Sequence, residues 1–178
     1  MTSDVAPTPS RGLAGGGVLA DLLVQELLAA RLVGVLATLE ADGSVHAIPL
    51  WYALDGGAIV FATGSSSRKV RNLRRDPRAT FVLHDSRPGF EVCGASIRGR
   101  VEVVEGAAAR SLADVVHRRY VTPEGARLPA PAEFLASDDV ALLLHPDTAF
   151  TWDERGSPAA GELRDAGAGL ALESTTPR

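Results

Sequence analysis

The chain has 178 residues, 46% of them apolar and 22% charged, which suits one globular domain with a real core and excludes a disordered or collagen-like chain. A net charge of −4 argues against a dedicated nucleic-acid binder, and the lone cysteine, Cys93, excludes a disulfide framework and a cysteine-rich zinc site. With no basic-then-apolar leader in residues 1–17 and no unbroken apolar span, the expected compartment is the cytoplasm, with no membrane partner.

Residues 1–17, rich in Gly, Pro and Ser, read as a flexible tail, and residues 154–178 as a second one. One domain lies between them, over 18–153. It opens with a helix over 18–30, where Leu19, Leu22, Leu23, Leu27 and Ala30 form an apolar stripe interrupted only by Glu26. A strand follows over 33–39, a turn at Ala41-Asp42-Gly43, a strand over 45–54, a turn at Asp55-Gly56-Gly57, and a strand over 58–63. Within the second of these, alternation puts Ala47, Pro49 and Trp51 on one face and Ile48, Leu50 and Tyr52 on the other. Small residues beside Trp51 leave a flat recess suited to a planar ring, and Pro49, lacking an N–H, marks an edge or a bulge. The competing reading places Trp51 and Tyr52 simply in the barrel core and in subunit contacts.

The informative stretch comes next: Thr63-Gly64-Ser65-Ser66-Ser67-Arg68-Lys69-Val70-Arg71-Asn72-Leu73-Arg74-Arg75-Asp76-Pro77. Serine caps a short helix beginning near Ser66 or Ser67, Val70 and Leu73 face the core, and Pro77 stops it. Arg74, Arg75 and Arg78 sit at the C-terminal end, where the helix dipole favours cations. Arg68 and Lys69 sit in the first turn, where it disfavours them. Two cations, several hydroxyls and unpaired backbone amides together form a phosphate cradle. A solvated basic patch is the rival reading, and the hydroxyl-rich lead-in after a strand tips the balance toward an anion. Nucleic-acid phosphate fits poorly, since no aromatic platform is interleaved with the cations.

Strands over 79–84 and 90–104 follow, the second with Gly94 and Gly99 at expected bulges or close approaches. A helix over 107–120 carries Leu112, Val115, Val116 and Tyr120 on its apolar side. Strands over 140–145 and 148–152, separated by a turn at His145-Pro146-Asp147, complete the set. The fold class is therefore mainly β: an antiparallel split β-barrel of six or seven strands with a few flanking helices. His46, His84, His117 and His145 are scattered, with no metal-site spacing; His117 reads as part of a polar helix face, and a haem ligand among them stays open. Cys93 reads as an ordinary buried thiol, Ser65–Ser67 have no His–acid pairing for hydrolysis, and Asp138 and Asp139 read as turn caps.

The run from Val60-Phe61-Ala62-Thr63 through Ser67-Arg68-Lys69, Asn72-Leu73 and Asp76-Pro77-Arg78, with Gly94-Ala95-Ser96-Ile97-Arg98-Gly99 downstream, resembles the pyridoxamine 5′-phosphate oxidase-like superfamily over about residues 20–153. It is most similar to that superfamily's flavin and deazaflavin (coenzyme F420-dependent) oxidoreductases. The resemblance implies a split-barrel homodimer with two cofactor sites at the subunit interface, each holding FMN or coenzyme F420. By the same resemblance Arg68 and Lys69 hold the cofactor phosphate, Ala62, Thr63 and Ser67 line that pocket, and Pro49, Leu50 and Trp51 run along the ring. Arg98 or Trp152 reaches in from the partner subunit. No residue is expected as a covalent or proton-transfer catalyst, because the cofactor carries hydride to or from a small organic substrate. The chain departs from true pyridoxamine phosphate oxidases after Trp152, where their Arg- and His-bearing closing motif is replaced by Asp153-Glu154-Arg155-Gly156 and small residues. Vitamin B6 oxidation is therefore not expected. The alternative class is a carrier that binds flavin, deazaflavin or haem without turnover.

Overall fold

The computed structural model describes residues 11–87 and 91–167. Its elements in chain order are β1 (Arg11–Ala14), α1 (Gly17–Ala20), α2 (Leu22–Ala29), β2 (Gly34–Leu39), β3 (Val45–Leu50), β4 (Ala53–Asp55), β5 (Ala58–Thr63), α3 (Arg68–Arg75), β6 (Arg78–Arg87), β7 (Glu91–Glu105), α4 (Gly106–Tyr120), α5 (Pro129–Ala136), β8 (Val140–Asp153) and α6 (Pro158–Asp165), with a 3₁₀ turn at Gly125–Arg127. All strand pairs are antiparallel, in the order β3-β2-β6-β7-β8-β5-β4, with β1 added alongside β8. The two ends of that order, β3 and β4, are joined in the chain by Trp51 and Tyr52 alone. Two residues cannot bridge the width of a flat seven-strand sheet, so the sheet must curl until its ends meet. This is the split-barrel architecture, with eight strands rather than six or seven.

The barrel interior is filled by Leu36, Ile59, Phe61, Phe81, Leu83, Ile97, Leu142 and Leu144, all fully buried. Phe61 meets Phe81 edge-on with centroids 4.9 Å apart. Gly34 makes room for this pair, since a Cβ there would stand 2.2 Å from the Phe81 ring. Val24, Leu27 and Leu28 of α2 close the barrel on one side and Val70 and Leu73 of α3 join the same core. Each such side chain contributes roughly 1.5–3 kcal/mol on burial. Outside the barrel, Ala109 and Val116 of α4 pack on Val60 and Ala141 in a second apolar cluster.

Several boundaries differ from the sequence reading for identifiable reasons. The helix over 18–30 is broken at Asp21, whose extended backbone and Oδ1, accepting from Leu23 and Val24 N–H at 3.0 and 3.1 Å, start α2 afresh. Leu22 thereby turns to solvent. The strand over 45–54 divides at Trp51–Tyr52, the barrel's closing link. The expected turn at His145-Pro146-Asp147 is absent: β8 runs through as one strand, with Pro146 opposite Gly99 at a register shift. There the His145 carbonyl would lie 2.0 Å from any Cβ on Gly99, so glycine is what permits the close approach. Helix α5, started by Pro129, was not anticipated.

The inner parts of both expected tails carry structure. Arg11–Ala14 pair with Thr151–Thr148, and Ser157 caps α6 by accepting from Ala160 N–H at 3.3 Å. Arg155, read as the start of a tail, donates to Asp153 at 2.6 Å and to Glu26 at 3.1 Å. Residues 1–10 and 168–178 lie outside the described residues. No helix among the described residues is long and apolar enough to cross a membrane.

Candidate functional site

Strand β5 ends at Thr63, and the chain turns through Gly64 to Ser67 into α3. The Asp139 carboxylate fixes this turn, accepting from the Ser65 backbone N–H at 2.6 Å and from its hydroxyl at 2.8 Å. Those bonds hold the Asp139 carboxyl below its ordinary pKa. Asp139 is therefore a cap, as its sequence position suggested. Ser67 is the residue before α3, with extended backbone, yet its hydroxyl caps no amide. Thr63 Oγ1 lies 3.5 Å from Ser67 Oγ, at the outer limit of a hydrogen bond. The helix thus begins with uncapped amides, two hydroxyls beside them and two cations in its first turn.

The two cations part company. Arg68 is exposed and faces Glu40 of the β2–β3 turn at 3.7 Å, an ion pair without a hydrogen bond; Glu40 Oε1 itself is buried with no hydrogen-bond partner. Lys69 turns to the other side and is half-buried. Burial pushes its ammonium pKa down, while the Asp138 charge works in the opposite direction. Among the described residues Lys69 has no hydrogen bond or ion pair. Asp138 makes no ion pair with Lys69; its carboxylate is hydrogen-bonded instead to His117 Nε2 at 2.9 Å. The other arginines of α3 are answered: Arg74 by Glu105 and Arg75 by the Leu39 carbonyl at its far end, and Arg71, mid-helix, by the Ser66 carbonyl at 2.5 Å.

The structure brings the Thr63 and Ser67 hydroxyls together at the start of α3, whose first turn carries Lys69, and leaves other expected site residues elsewhere. Ala62 and Trp51 share the apolar cluster beneath α4. Trp51 stacks on Tyr120 with centroids 5.0 Å apart and planes 4° apart, and meets the edge of Phe134 at 6.2 Å. Its ring is therefore committed to α4 and α5. Leu50 packs against the main core. Pro49 stands exposed on β3, which is an edge strand, so the missing N–H leaves no ladder bond unmade.

Arg98 and Trp152 lie far from the α3 turn. Thr63 pairs with Val140 of β8, whereas Arg98 pairs with Thr148, on the order of 25 Å further along an extended strand. Trp152 lies over Gly94, where a Cβ would come within 2.1 Å of the indole. Pro49, Arg98 and Trp152 do share one outward sheet face. Across it Pro49, Val35, Val82, Ser96 and Phe150 stand in register on β3, β2, β6, β7 and β8. Val35, Val45 and Phe150 are exposed there, an unusual apolar outlay for a sheet face open to water.

His117 corrects the sequence reading. It is buried, not on a polar face, because Ala109, Ala113 and Val116 set the inward stripe of α4 and position 117 lies one turn beyond Ala113. That spacing was the available signal. Cys93 is buried, and burial raises its thiol pKa.

The profile of the family described as pyridoxamine 5′-phosphate oxidase matches residues 22–153, and the chain belongs to that family. Among solved structures it is similar to the conserved hypothetical protein Rv2991 from Mycobacterium tuberculosis, at 31% identity and a TM-score of 0.63 over 75% of this chain and 84% of that one. It is similar to an F420 reductase at 25% identity and a TM-score of 0.56 over 70% and 94% of the two chains. It shares its fold with HutZ, a haem storage protein from Vibrio cholerae, at 14% identity and a TM-score of 0.58 over 73% and 92%. No curated protein matches the sequence.

Proposed function

We propose that this member of the pyridoxamine 5′-phosphate oxidase family is an oxidoreductase that binds coenzyme F420, or failing that FMN, through the cofactor phosphate at the start of α3. The observation that carries the reading is Lys69: a half-buried ammonium with no ion pair among the described residues, beside uncapped helix amides and the Thr63 and Ser67 hydroxyls. An anionic phosphate, a monoester in FMN or a diester in coenzyme F420, offers acceptor oxygens to all of these groups at once. Arg68, held only loosely by Glu40, is free to swing onto the same phosphate. When bound, the cofactor supplies hydride transfer to or from a small organic substrate. The chain's part is to grip the phosphate, exclude water and orient the ring. The similarity to an F420 reductase favours the deazaflavin.

The working unit is a homodimer built on the exposed sheet face. A second copy covers Val35, Val45 and Phe150 and carries its own Arg98 and Trp152 toward the cofactor, which a single chain cannot do over that distance. Residues 18–153 form the cofactor-binding domain. Light scattering of the intact protein should give twice the 18.6 kDa chain mass, and Phe150→Glu should shift it toward one chain mass.

The direct test is an absorbance spectrum after mixing the purified protein with coenzyme F420, FMN or haemin and removing the excess. Retained deazaflavin or flavin absorbance in stoichiometric amount supports the reading. A haem spectrum, with neither of the other two retained, overturns it in favour of haem binding. Retention of the deazaflavin with no change in its redox state under any reductant or acceptor tried makes the protein a carrier.

A further inference from the structure

A cleft of about 550 Å³ opens between α4, the Gly125–Arg127 turn and α5, apart from the Thr63–Ser67 turn. Its walls are apolar, from Val121, Pro123, Ala126 and Leu135. Its floor is the His117–Asp138 pair, joined at 2.9 Å, with side chains only 10% and 15% exposed. Since Nε2 faces Asp138, Nδ1 is the ring nitrogen available to an occupant. Arg110 and Arg118 stand at the rim. Arg118 spends its Nε on the Asp114 carbonyl at 3.1 Å, and among the described residues neither guanidinium has a carboxylate partner.

Charge decides what such a cleft accepts. At the rim two guanidiniums stand against the single carboxylate of Asp114, while the Asp138 carboxylate lies at the floor, hydrogen-bonded to His117. A neutral apolar molecule would bury itself against the walls but leave the guanidiniums and the imidazole unused. A cation would meet two like charges. A small carboxylic acid with an apolar body uses both features of the cleft: the walls for the body, and Arg110 or Arg118 at the rim for the carboxylate. A partly buried His–Asp pair with no other ligand is also costly to keep for packing alone, since a well-packed apolar pair serves stability as well.

We propose that this cleft is a second ligand site, selective for small organic carboxylates, and separate from the anion site at the start of α3. The two sites touch through Asp138, which holds His117 on one side and acts on Lys69 on the other. The cleft's own chemistry requires no cofactor, so it is tested on protein freed of any.

Sodium benzoate is the probe, with benzyl alcohol as its neutral counterpart, read by calorimetry and by the His117 ring signals in NMR, assigned with His117→Gln. Benzoate should saturate and move the His117 ring, benzyl alcohol should bind at least tenfold more weakly, and the Arg110→Ala/Arg118→Ala double variant should lose on the order of tenfold in benzoate affinity. Both arginines are exposed, so the double variant is expected to fold, which a thermal melt verifies. Absence of saturation, an unmoved His117 ring, equal binding of benzyl alcohol, or unaltered affinity in the double variant would each overturn the proposal.

Discussion

The two ends of α3 carry similar charge and opposite circumstances. At the C-terminal end, cations suit the helix dipole and each has a protein partner: Arg74 with Glu105, Arg75 with the Leu39 carbonyl, and Arg78 just beyond with Asp76 at 2.6 Å. That pairing holds the Asp76 carboxyl down to about 2. At the N-terminal end the dipole opposes cations, yet Lys69 is half-buried with no ion pair among the described residues and Arg68 is only loosely held. Charges placed where the fold rewards them are answered within the fold. Charges placed where the fold penalises them are left for something else. The uncompensated end, not the more basic one, is where a ligand belongs.

The largest effect should separate the ends directly. Lys69→Ala removes one charge-assisted bond to phosphate and should weaken cofactor binding by about 2 kcal/mol, roughly thirtyfold, measured by fluorescence quenching. Arg74→Ala, at the answered end, should leave the affinity within twofold. Melting temperatures of the free proteins should barely differ, since Lys69 has no hydrogen bond or ion pair among the described residues to lose and its first-turn charge is disfavoured. Equal losses at both ends would reduce the cradle to a diffuse basic patch.

The barrel was legible in the sequence because hairpin turns and alternating strands are local signals, and Gly94 and Gly99 were readable as close approaches. The closing link at Trp51–Tyr52 was not, because it is a property of strand order rather than of any one strand. Nor was the α1–α2 break, where the Asp21 cap overrides a continuous apolar stripe. At the site, Thr63, Ser67 and Lys69 could be read from the dipole argument. The divergence of Arg68 from Lys69 could not, since it depends on Glu40 and Asp138, which lie 28 and 69 positions away from their respective cations in the chain. Trp51 illustrates a different limit: its strand position suggested a ring-facing residue, but Tyr120 and Phe134, contributed by later helices, claim its faces.

A pH series sharpens the same contrast with a somewhat smaller effect. Burial lowers the Lys69 pKa in the folded chain below its ordinary 10.5, so the fold favours the neutral amine. The charged form costs the free protein stability at pH values below the folded-state pKa. That cost disappears as pH rises through the window between the lowered value and 10.5. Cofactor binding needs the ammonium, so its affinity should fall as pH rises through the same lowered value, by about tenfold one unit above it. Lys69→Arg keeps its charge throughout and should abolish this alkaline loss while retaining affinity near neutral pH. An alkaline decline that persists unchanged in Lys69→Arg would assign the titration to another group.

The smallest expected effect concerns which cofactor is preferred, and it turns on a distinction among the answered arginines. Coenzyme F420 extends beyond its phosphate into a tail bearing carboxylates, whereas FMN stops at the phosphate, so only the former needs cations further along α3. Arg74 and Arg78 are matched by Glu105 and Asp76 and have no net charge to offer. Arg71 and Arg75 are different: both are spent on neutral carbonyls, of Ser66 and Leu39, which satisfy their donors without cancelling their charge. They are also one turn apart on one face of the helix, a short track leading away from Lys69. Exposed charges of this kind contribute little each and are screened by salt. The Arg71→Ala/Arg75→Ala double variant should therefore lose only a few-fold in affinity for the deazaflavin, and that loss should shrink between 50 and 500 mM salt, values about where the Debye length falls from above to below 10 Å. FMN affinity should not respond to the double variant at either concentration. If the double variant weakens both cofactors equally, the arginines act on the shared phosphate and the tail has no track. If FMN binds more tightly at both salt concentrations, the preference itself is reversed.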